Sequence, residues 1–381
     1  MAVQRIAADD AIARLREFDA VIDARSESEY SLDHLPGAVN WPTLNDAERA
    51  EIGTTDRQVS AFEARKRGAV IAARNIARHL EQHALALPRE WKPLVYCWRG
   101  GQRSGALATL LDAIGFRTCA LEGGYREFRR AVLRDLEALP AALAFHVIAG
   151  RTGSGKSRLL TALAAEGAQV LDLEALARHR GSVLGLVPGD TQPAQKAFET
   201  SLWQALRGLD PMRPVWAESE SRTIGRLRVP EPLLARLRSA PCVVVQMPAA
   251  ARVALLMHDY GHFVRDTEAF CERLAALREH RGAEAVARWQ ALARAGEHAA
   301  VVHELLVLHY DPVYERSMAR NYTGFASAQA LELADGGTDS LAHAARHLHR
   351  QLSHPASGLL RGPHPPLPAT AEVAGAPPAR P

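Results

Sequence analysis

A glycine-rich loop between an apolar run and a helical segment constrains the fold of this chain of 381 residues more than any other feature. Residues 144–148 are mostly apolar, and the loop that follows reads Gly150-Arg151-Thr152-Gly153-Ser154-Gly155-Lys156-Ser157. In a strand, loop and helix of this kind, backbone N–H groups wrap phosphates, the lysine reaches the terminal phosphates, and the serine hydroxyl can bind Mg²⁺. The pattern predicts a phosphate-binding α/β domain. A degenerate loop that only turns a strand into a helix is the alternative.

Cys97 lies in a second glycine-rich loop, between an apolar strand pattern at residues 93–96 and a helical pattern that begins at Ser104. The loop supplies two glycines and two arginines, namely Arg99, Gly100, Gly101 and Arg103. Inward-facing N–H groups and a helix N-terminus stabilise both a thiolate and an anionic substrate. We therefore predict that Cys97 is a nucleophile that faces an anion. A buried structural cysteine is the alternative.

Acidic residues follow a third apolar run, at residues 215–218. Glu218 ends this run, and Glu220 and Arg222 come directly after it. Because strand ends line the ligand crevice of a doubly wound sheet, we predict that these three residues contact substrate. A helix-capping turn is the alternative. In nucleotide-binding domains the corresponding strand commonly ends in aspartate, whereas here it ends in Glu218. Asp172, at the end of another strand, is a second candidate for that position. The sequence therefore does not predict an ATPase.

Strand and helix patterns alternate along most of the chain and predict an α/β fold in two parts. We predict a first α/β domain at residues 1–136, and a connecting helix at residues 127–139 that is stopped by Pro140. A phosphate-loop domain follows at residues 137–352, with a helical pattern from about residue 250 onward. Eight of the 22 prolines fall in residues 353–381, which predicts a disordered tail.

The composition excludes several classes of protein. The net charge is +3, which does not by itself indicate a nucleic-acid-binding protein. Arginine-rich stretches at residues 61–82 and 126–134 are either contacts for RNA phosphates or solvated helix faces. The four cysteines show no zinc-ligand spacing, which favours reduced thiols in the cytoplasm. No apolar run approaches the roughly 18 residues of a membrane span.

The first third of the chain resembles the rhodanese family. The resemblance is carried by Asp23-Ala24-Arg25, by His34-Leu35-Pro36-Gly37-Ala38 and by Leu121-Glu122-Gly123-Gly124-Tyr125. It implies that Cys97 carries sulfur or selenium. Five residues separate Cys97 from Arg103, one more than in the usual sulfur-carrying loop. The larger loop is similar to that of related phosphatases, so we expect a tetrahedral anion there. A phosphate monoesterase is the rival interpretation.

Both halves together resemble the tRNA 2-selenouridine synthase family, over about residues 5–350. The matching stretches are residues 53–81, 96–105, 152–156, 220–225 and 259–263. The resemblance implies that selenium replaces sulfur in 2-thiouridine at the wobble position of certain tRNAs. It implies selenophosphate as the selenium donor, supplied by a selenophosphate-producing enzyme, and transfer of a geranyl group from geranyl diphosphate to the thiouridine sulfur.

These observations assign a role to each candidate residue. We predict Cys97 as the catalytic residue. The predicted selenophosphate-binding residues are Arg99, Gly100, Gly101 and Arg103. The predicted phosphate-binding residues are Gly150, Gly153, Gly155, Lys156 and Ser157. The predicted substrate contacts are Glu218, Glu220 and Arg222. We predict no dedicated metal ligands and no tightly bound cofactor, with Mg²⁺ as a candidate ion at the phosphate loop.

Two further functions stay open from the sequence. One is a nucleotide-regulated sulfurtransferase or phosphatase that acts on small molecules. The other is a non-catalytic RNA-binding module with a decayed kinase domain. The intact Cys97 and Lys156 argue against this second function.

Overall fold

The structure is a computed structural model that describes residues 3–179 and 191–353. In the first half, a parallel five-stranded sheet has the order β1-β5-β4-β2-β3. Its elements are β1 Gln4–Ile6, α1 Ala8–Ala13, β2 Ala20–Asp23, α2 Glu27–Leu32, β3 Ala38–Asn40, α3 Asp46–Gln58, α4 Ala61–His83, β4 Pro93–Tyr96, α5 Gln102–Ile114, β5 Cys119–Leu121 and α6 Gly124–Ala142.

A second parallel five-stranded sheet follows, with the order β12-β11-β6-β8-β7. Its first elements are β6 Phe145–Gly150, α7 Lys156–Ala165, β7 Gln169–Leu171, α8 Leu173–Ala177, α9 Gln195–Arg207, β8 Val215–Glu218, the hairpin β9 Thr223–Ile224 and β10 Leu227–Arg228, α10 Glu231–Arg238 and β11 Pro241–Gln246. The remaining elements are α11 Ala249–Asp259, α12 Gly261–Arg265, α13 Thr267–Ala275, α14 Arg278–Arg281, α15 Ala283–Arg294, α16 His298–Leu305, α17 Asp311–Asn321, β12 Gly324–Glu332 and α18 Thr338–Ser353. Two parallel sheets with helices confirm the predicted α/β fold.

Strand β6 is the central strand of the second sheet and is buried along its whole length. It pairs with β8 on one side and with β11 on the other. The chain leaves β6 for β7 and β8 on one side and later for β11 and β12 on the other, so the carboxyl end of β6 lies at a topological switch point. Loops at such a point line the ligand crevice. The order of the strands therefore brings the phosphate loop beside the end of β8.

Helix α6 joins the two halves and is longer than predicted. We expected a helix over residues 127–139 that Pro140 stops, but α6 runs from Gly124 to Ala142 with Pro140 inside its last turn. Arg236 of α10 donates hydrogen bonds to the carbonyl oxygens of Pro140, at 3.3 Å, and of Leu143, at 2.9 Å. These bonds satisfy carbonyls at the end of the helix. The C-terminal end was predicted wrongly because the partner of these carbonyls is distant in sequence. The predicted domain boundary at 136/137 falls within this helix and stays a prediction.

The helical pattern predicted from about residue 250 onward is interrupted by β12, which pairs in parallel with β11. Along β12 only Leu331 is buried, and the other residues are partly or fully exposed. An edge strand buries little of its surface, so it lacks the continuous apolar run of a central parallel strand. The sequence pattern therefore missed it. The predicted disordered tail lies, apart from Ser353, outside the described residues.

Within the described ranges, we find no helix that is both long and apolar enough to cross a membrane.

His146 makes folding stability depend on pH. It lies in β6 at 6% exposure, its Nδ1 atom has no hydrogen-bond partner among the described residues, and burial lowers the pKa of its imidazole to about 4. A depressed folded-state pKa contributes stability that is full above the unfolded value of about 6.5 and is lost as pH falls through that value toward 4. We expect protonation of this group to lower the free energy of unfolding of the wild-type protein by up to about 3 kcal/mol as the pH falls to about 4.

The test compares the free energy of unfolding of wild type and His146→Leu by denaturant titration between pH 7 and pH 5. We expect the variant to lose less stability over this interval than wild type. His83→Leu, at an exposed position of α4, should follow wild type. Equal losses in wild type and His146→Leu would contradict the assignment.

Candidate functional site

The phosphate loop requires glycine at three positions. Gly150, Gly153 and Gly155 have φ values of 156°, 77° and 81°, in the region that side chains rarely adopt. A Cβ atom at Gly150 would lie 2.6 Å from the Ser154 Oγ atom, and one at Gly153 would lie 2.8 Å from a methyl carbon of Leu256. The loop therefore brings its backbone close to the helices around it.

Helices from a later part of the chain hold the loop in place. The N–H group of Gly150 donates to the hydroxyl oxygen of Tyr314 at 2.6 Å. The guanidinium group of Arg252 donates to the carbonyl oxygen of Thr152 at 2.9 Å and pairs with Asp311 at 2.6 Å. Arg252 is only 3% exposed, so this ion pair is shielded from solvent. Sequence reasoning missed these residues because no local pattern connects them to the loop.

The Lys156 ammonium lies across the loop. Its Nζ atom donates to the carbonyl oxygen of Gly150 at 2.8 Å and to that of Arg151 at 3.4 Å. It also lies 5.8 Å from the centre of the Tyr314 ring. Lys156 is thus held at the loop that the sequence assigns to phosphate.

Three carboxylates meet beside Ser157. Glu174 comes from α8, Glu218 ends β8, and Glu220 follows it in the next loop; one ligand oxygen from each lies within 4.8 Å of the others. The Ser157 hydroxyl donates to Glu174 at 3.3 Å. Glu218 is 3% exposed, and its Oε1 atom has no hydrogen-bond partner among the residues that the structure describes. We call Glu174, Glu218 and Glu220 the carboxylate cluster.

The carboxylate cluster carries more negative charge than its surroundings compensate. Burial raises the pKa of Glu174 to about 8, and the nearby charge of Glu218 adds to the effect. Burial also raises the pKa values of Glu218 and of Glu220, and for Glu220 the neighbouring carboxylates raise it further. The Lys156 ammonium lowers all three pKa values. One ammonium cannot balance three carboxylates in a buried site, so either protons or a cation must do so.

The residues present fit a divalent cation. Carboxylate and hydroxyl oxygens are the ligands that Mg²⁺ prefers in proteins, and the unpartnered oxygen of Glu218 lies in the cluster. The sequence analysis assigned no metal ligands beyond Ser157 and did not single out Glu174. The available signal was the end of the short strand β7 at Leu171, directly before α8, which Asp172 caps by accepting from the N–H group of Ala175 at 2.8 Å.

Two cavities adjoin the loop. The larger has a volume of about 700 Å³ and is lined by the phosphate loop and the carboxylate cluster. The smaller has a volume of about 50 Å³ and is lined mostly by apolar side chains of α11, α13 and α16, among them Leu256, Phe270 and Val302. Both cavities share Thr152, Leu256, Tyr260 and Tyr310 as lining residues. A polar cavity and an apolar cleft therefore lie side by side at the phosphate loop.

The predicted substrate contacts separate in the structure. Glu218 and Glu220 line the larger cavity. Arg222 is exposed on the loop before β9, outside the lining of this cavity. The segment after β8 forms the hairpin of β9 and β10, so a helix-capping turn does not describe it. The backbone carbonyl of Glu220 accepts from the Tyr322 hydroxyl at 2.7 Å, which fixes the loop next to the phosphate site.

Cys97 follows β4 and is 3% exposed. The Ser104 hydroxyl, in the first turn of α5, donates to its sulfur atom at 3.1 Å. The turn before α6 packs against the cysteine loop: a Cβ atom at Gly124 would lie 2.2 Å from the carbonyl oxygen of Cys97, and one at Gly100 would lie 2.7 Å from that of Leu121. Gly100 and Gly124 therefore allow the cysteine loop and the motif at residues 121–125 to pack closely against each other.

The two arginines of the cysteine loop have different surroundings. Arg103 pairs with Glu29 at 2.7 Å, while the side chain of Arg99 is exposed. Burial would raise the pKa of Glu29, but the Arg103 guanidinium outweighs it and holds that pKa below its usual value.

The Asp23-Ala24-Arg25 motif has a structural role. Arg25 and Asp23 form an ion pair at 2.6 Å with side chains 1% and 0% exposed, and the Tyr96 hydroxyl donates to Asp23 at 2.8 Å. The buried pair fixes the end of β2 next to the cysteine loop.

Two family models match this chain. The model described as "Rhodanese-like domain" matches residues 7–131. The model described as "tRNA 2-selenouridine synthase AAA domain" matches residues 143–285.

Curated relatives match across both halves. The tRNA 2-selenouridine synthase of Nitrosomonas europaea is 36% identical over 261 residues, 67% of each chain. The tRNA 2-selenouridine synthase of Cronobacter sakazakii is 31% identical over 357 residues, 84% of this chain and 92% of the relative. Several alignments span just under two thirds of the relative, as for that of Bdellovibrio bacteriovorus at 64%. Among solved structures, a rhodanese-related protein from Thermoplasma volcanium is 19% identical over 34% of this chain and 92% of its own, with a TM-score of 0.23.

We expect Mg²⁺ to raise the melting temperature of the wild-type protein, because a cation that binds only the folded state stabilises it. At one hundred times the dissociation constant the gain is about 2.7 kcal/mol. Glu218→Gln should shrink this shift, since the variant lacks one of the three negative charges. The measurement is thermal unfolding in EDTA and in excess Mg²⁺. Glu166→Gln, at the far end of α7, is the matched control and should behave as wild type. Equal shifts in Glu218→Gln and wild type would contradict a metal site at the cluster.

Proposed function

Because the chain belongs to the tRNA 2-selenouridine synthase family, we propose that it replaces sulfur by selenium in 2-thiouridine at the wobble position of tRNA. We propose selenophosphate as the selenium donor and geranyl diphosphate as the donor of a transient geranyl group. In this proposal the protein acts in the cytoplasm, where an enzyme that makes selenophosphate supplies the donor.

The observation that best supports the proposal is the contact between the two cavities at the phosphate loop. A diphosphate ester with an isoprenoid tail needs a phosphate site that continues into an apolar site. The phosphate loop lines the cavity of about 700 Å³. The apolar cleft shares the lining residues Thr152 and Leu256 with this cavity. A nucleotide would use the first cavity and give no reason for the second. This is why we favour geranyl diphosphate over a nucleotide as the ligand.

The apolar cleft must widen to hold a geranyl chain. Its volume is about 50 Å³, whereas a cavity of about 150 Å³ holds benzene, a smaller molecule than a geranyl chain. Leu256 of α11 and Val302 of α16 both line the cleft. We therefore propose that these helices move apart when the donor binds.

In the first step, the sulfur of 2-thiouridine forms a bond to C1 of the geranyl group. The bond from C1 to the diphosphate oxygen breaks, diphosphate leaves, and the N3 proton of the base passes to solvent. Lys156 and a cation at the carboxylate cluster would neutralise the departing diphosphate. Alkylation makes C2 of the base electrophilic and converts a poor leaving group into a thiol that can depart.

In the second step, we propose that Cys97 acts as the nucleophile: its sulfur forms a bond to C2, the bond from C2 to the geranylated sulfur breaks, and geranylthiol leaves with the Cys97 proton. Selenium of selenophosphate then forms a bond to C2, and the bond from C2 to the Cys97 sulfur breaks. Water attacks phosphorus, the bond from phosphorus to selenium breaks, and phosphate is released. The Ser104 hydroxyl donates to the Cys97 sulfur, and Arg99 and Arg103 would neutralise the donor.

The direct test is mass spectrometry of tRNA nucleosides. The protein is incubated with tRNA that contains 2-thiouridine, with geranyl diphosphate and with selenophosphate, and each donor is left out in turn. We expect 2-selenouridine only when both donors are present, and a geranylated nucleoside when selenophosphate is absent. Unchanged tRNA together with turnover of thiosulfate or a phosphate ester would instead support a small-molecule sulfurtransferase or phosphatase.

The two loops should be separable by substitution. Cys97→Ser should keep geranyl transfer and lose selenium incorporation, because the phosphate loop is intact. Lys156→Ala should lose geranyl transfer, by about 100-fold if the ammonium contributes as a charge-assisted hydrogen-bond donor to the leaving diphosphate. Both are measured by the same mass spectrometry. Loss of both activities in Cys97→Ser, or normal geranylation by Lys156→Ala, would refute this division of roles.

A further inference from the structure

A cavity between the two halves of the chain borders the cysteine loop. It has a volume of about 390 Å³, and its lining includes Trp98 and Arg103 of that loop, Arg49 of α3 and Lys196 of α9. The Lys196 ammonium lies 5.7 Å from the centre of the Trp98 ring. The cavity is therefore assembled from both halves of the chain, and it is separate from the two cavities at the phosphate loop.

Once the ion pair of Arg25 with Asp23 is set aside, the lining carries two more positive than negative charges. Arg49 and Arg103 share one carboxylate, that of Glu29, at 3.7 Å and 2.7 Å. Lys196 contributes its contact with Trp98 and forms no ion pair with any described residue. Arg25 also lines the cavity, but its charge is balanced by Asp23. A doubly charged anion would neutralise what remains.

Two helix N-termini add to this positive field. Arg103 is the second residue of α5 and Lys196 is the second residue of α9, and each helix is 13 residues long. Neither helix has an acidic residue in its first turn or a side chain that caps its first N–H groups. A cation in the first turn of a helix is electrostatically unfavourable, whereas an anion there is stabilised. Both first turns thus lack the negative charge that helix N-termini favour.

Lys196 is held near the cysteine loop by the packing of α9 on α6. The Thr200 hydroxyl donates to Asp33 at 3.0 Å, Arg129 of α6 forms an ion pair with Glu199, and the indole N–H of Trp203 donates to Asp135 at 2.9 Å. A bound anion therefore needs no movement of α9 to reach the ammonium group.

We propose that this cavity binds a tetrahedral phosphate-type dianion, the phosphoryl end of the small selenium donor, and that Lys196 supplies one of its ligands from the second half of the chain. The inference rests on the proposed function and names how the donor is held. A phosphoryl group of this kind carries close to two negative charges at neutral pH, which matches the charge of the lining. A phosphodiester of RNA carries one negative charge per phosphate. The charge of the lining therefore favours the small donor over an RNA phosphate.

The experiment measures binding of inorganic thiophosphate by isothermal titration calorimetry. All proteins carry Lys156→Ala, so that the phosphate loop does not compete. We expect Lys196→Gln to weaken binding roughly fivefold, because its ammonium is exposed and its contribution is partly screened. Lys92→Gln is the matched control: Lys92 also lies over an aromatic ring, at 5.1 Å from the centre of Phe18, but lines no part of this cavity. Lys92→Gln should bind thiophosphate as tightly as the parent protein, which carries Lys156→Ala alone.

A second variant should change the affinity for thiophosphate in the opposite direction. Glu29→Gln keeps the hydrogen-bonding oxygen that faces Arg103 and Ser26 but removes the negative charge. Thiophosphate should therefore bind Glu29→Gln more tightly than the parent. A merely structural role of Glu29 would weaken binding instead.

Three outcomes would overturn the inference. One is the absence of thiophosphate binding in the parent, and another is equal binding by Lys196→Gln and the parent. The third is a Lys196→Gln variant in which only tRNA affinity falls, which would assign the cavity to an RNA phosphate. These binding results do not depend on turnover. If 2-selenouridine fails to form while thiophosphate binds as expected, the proposed function fails and the anion site stands.

Discussion

The buried carboxylate of Asp33 links the two halves of this protein. It is 2% exposed and accepts hydrogen bonds from the Tyr125 hydroxyl at 2.7 Å and from the Thr200 hydroxyl at 3.0 Å. Burial raises its pKa, although these hydrogen bonds lower it in part. Tyr125 belongs to the first turn of α6, which packs against the cysteine loop, and Thr200 belongs to α9. This carboxylate thus ties the cysteine loop to the second half of the chain, because leaving it unpaired would cost several kcal/mol.

The two candidate sites handle negative charge in opposite ways. The cavity beside the cysteine loop has an excess of positive charge from Arg49, Arg103 and Lys196. Within the phosphate-loop cavity, the carboxylate cluster sets three carboxylates against the Lys156 ammonium. A phosphoryl anion can enter the first directly. In the second a diphosphate meets repulsion unless a divalent cation lies between it and the carboxylates. The charges therefore suit the first site to a free anion and the second to a metal-bound diphosphate.

Sequence patterns were most reliable where the chemistry is local. The phosphate loop and the cysteine loop each need glycines, a strand before and a helix after, and all of these lie within a few residues of one another. Central strands such as β4 and β6 are continuous apolar runs, which parallel packing requires. The edge strand β12 buries too little surface to show such a run. The C-terminal end of α6 is stabilised by Arg236, nearly a hundred residues away from the carbonyls that it binds.

By itself, the sequence determined the glycines that tolerate positive φ and the strand-end position of Glu218, and it predicts Cys97 and Lys156 as the residues that carry the chemistry. Only the tertiary structure decided what stands next to them. Glu174 joins Glu218 and Glu220 because β7 and β8 are neighbours in the sheet, and Lys196 reaches Trp98 because α9 packs on α6. The physical reason is the range of the interactions. Backbone conformation is set by near neighbours in the chain, whereas burial and electrostatic balance depend on residues that only folding brings together.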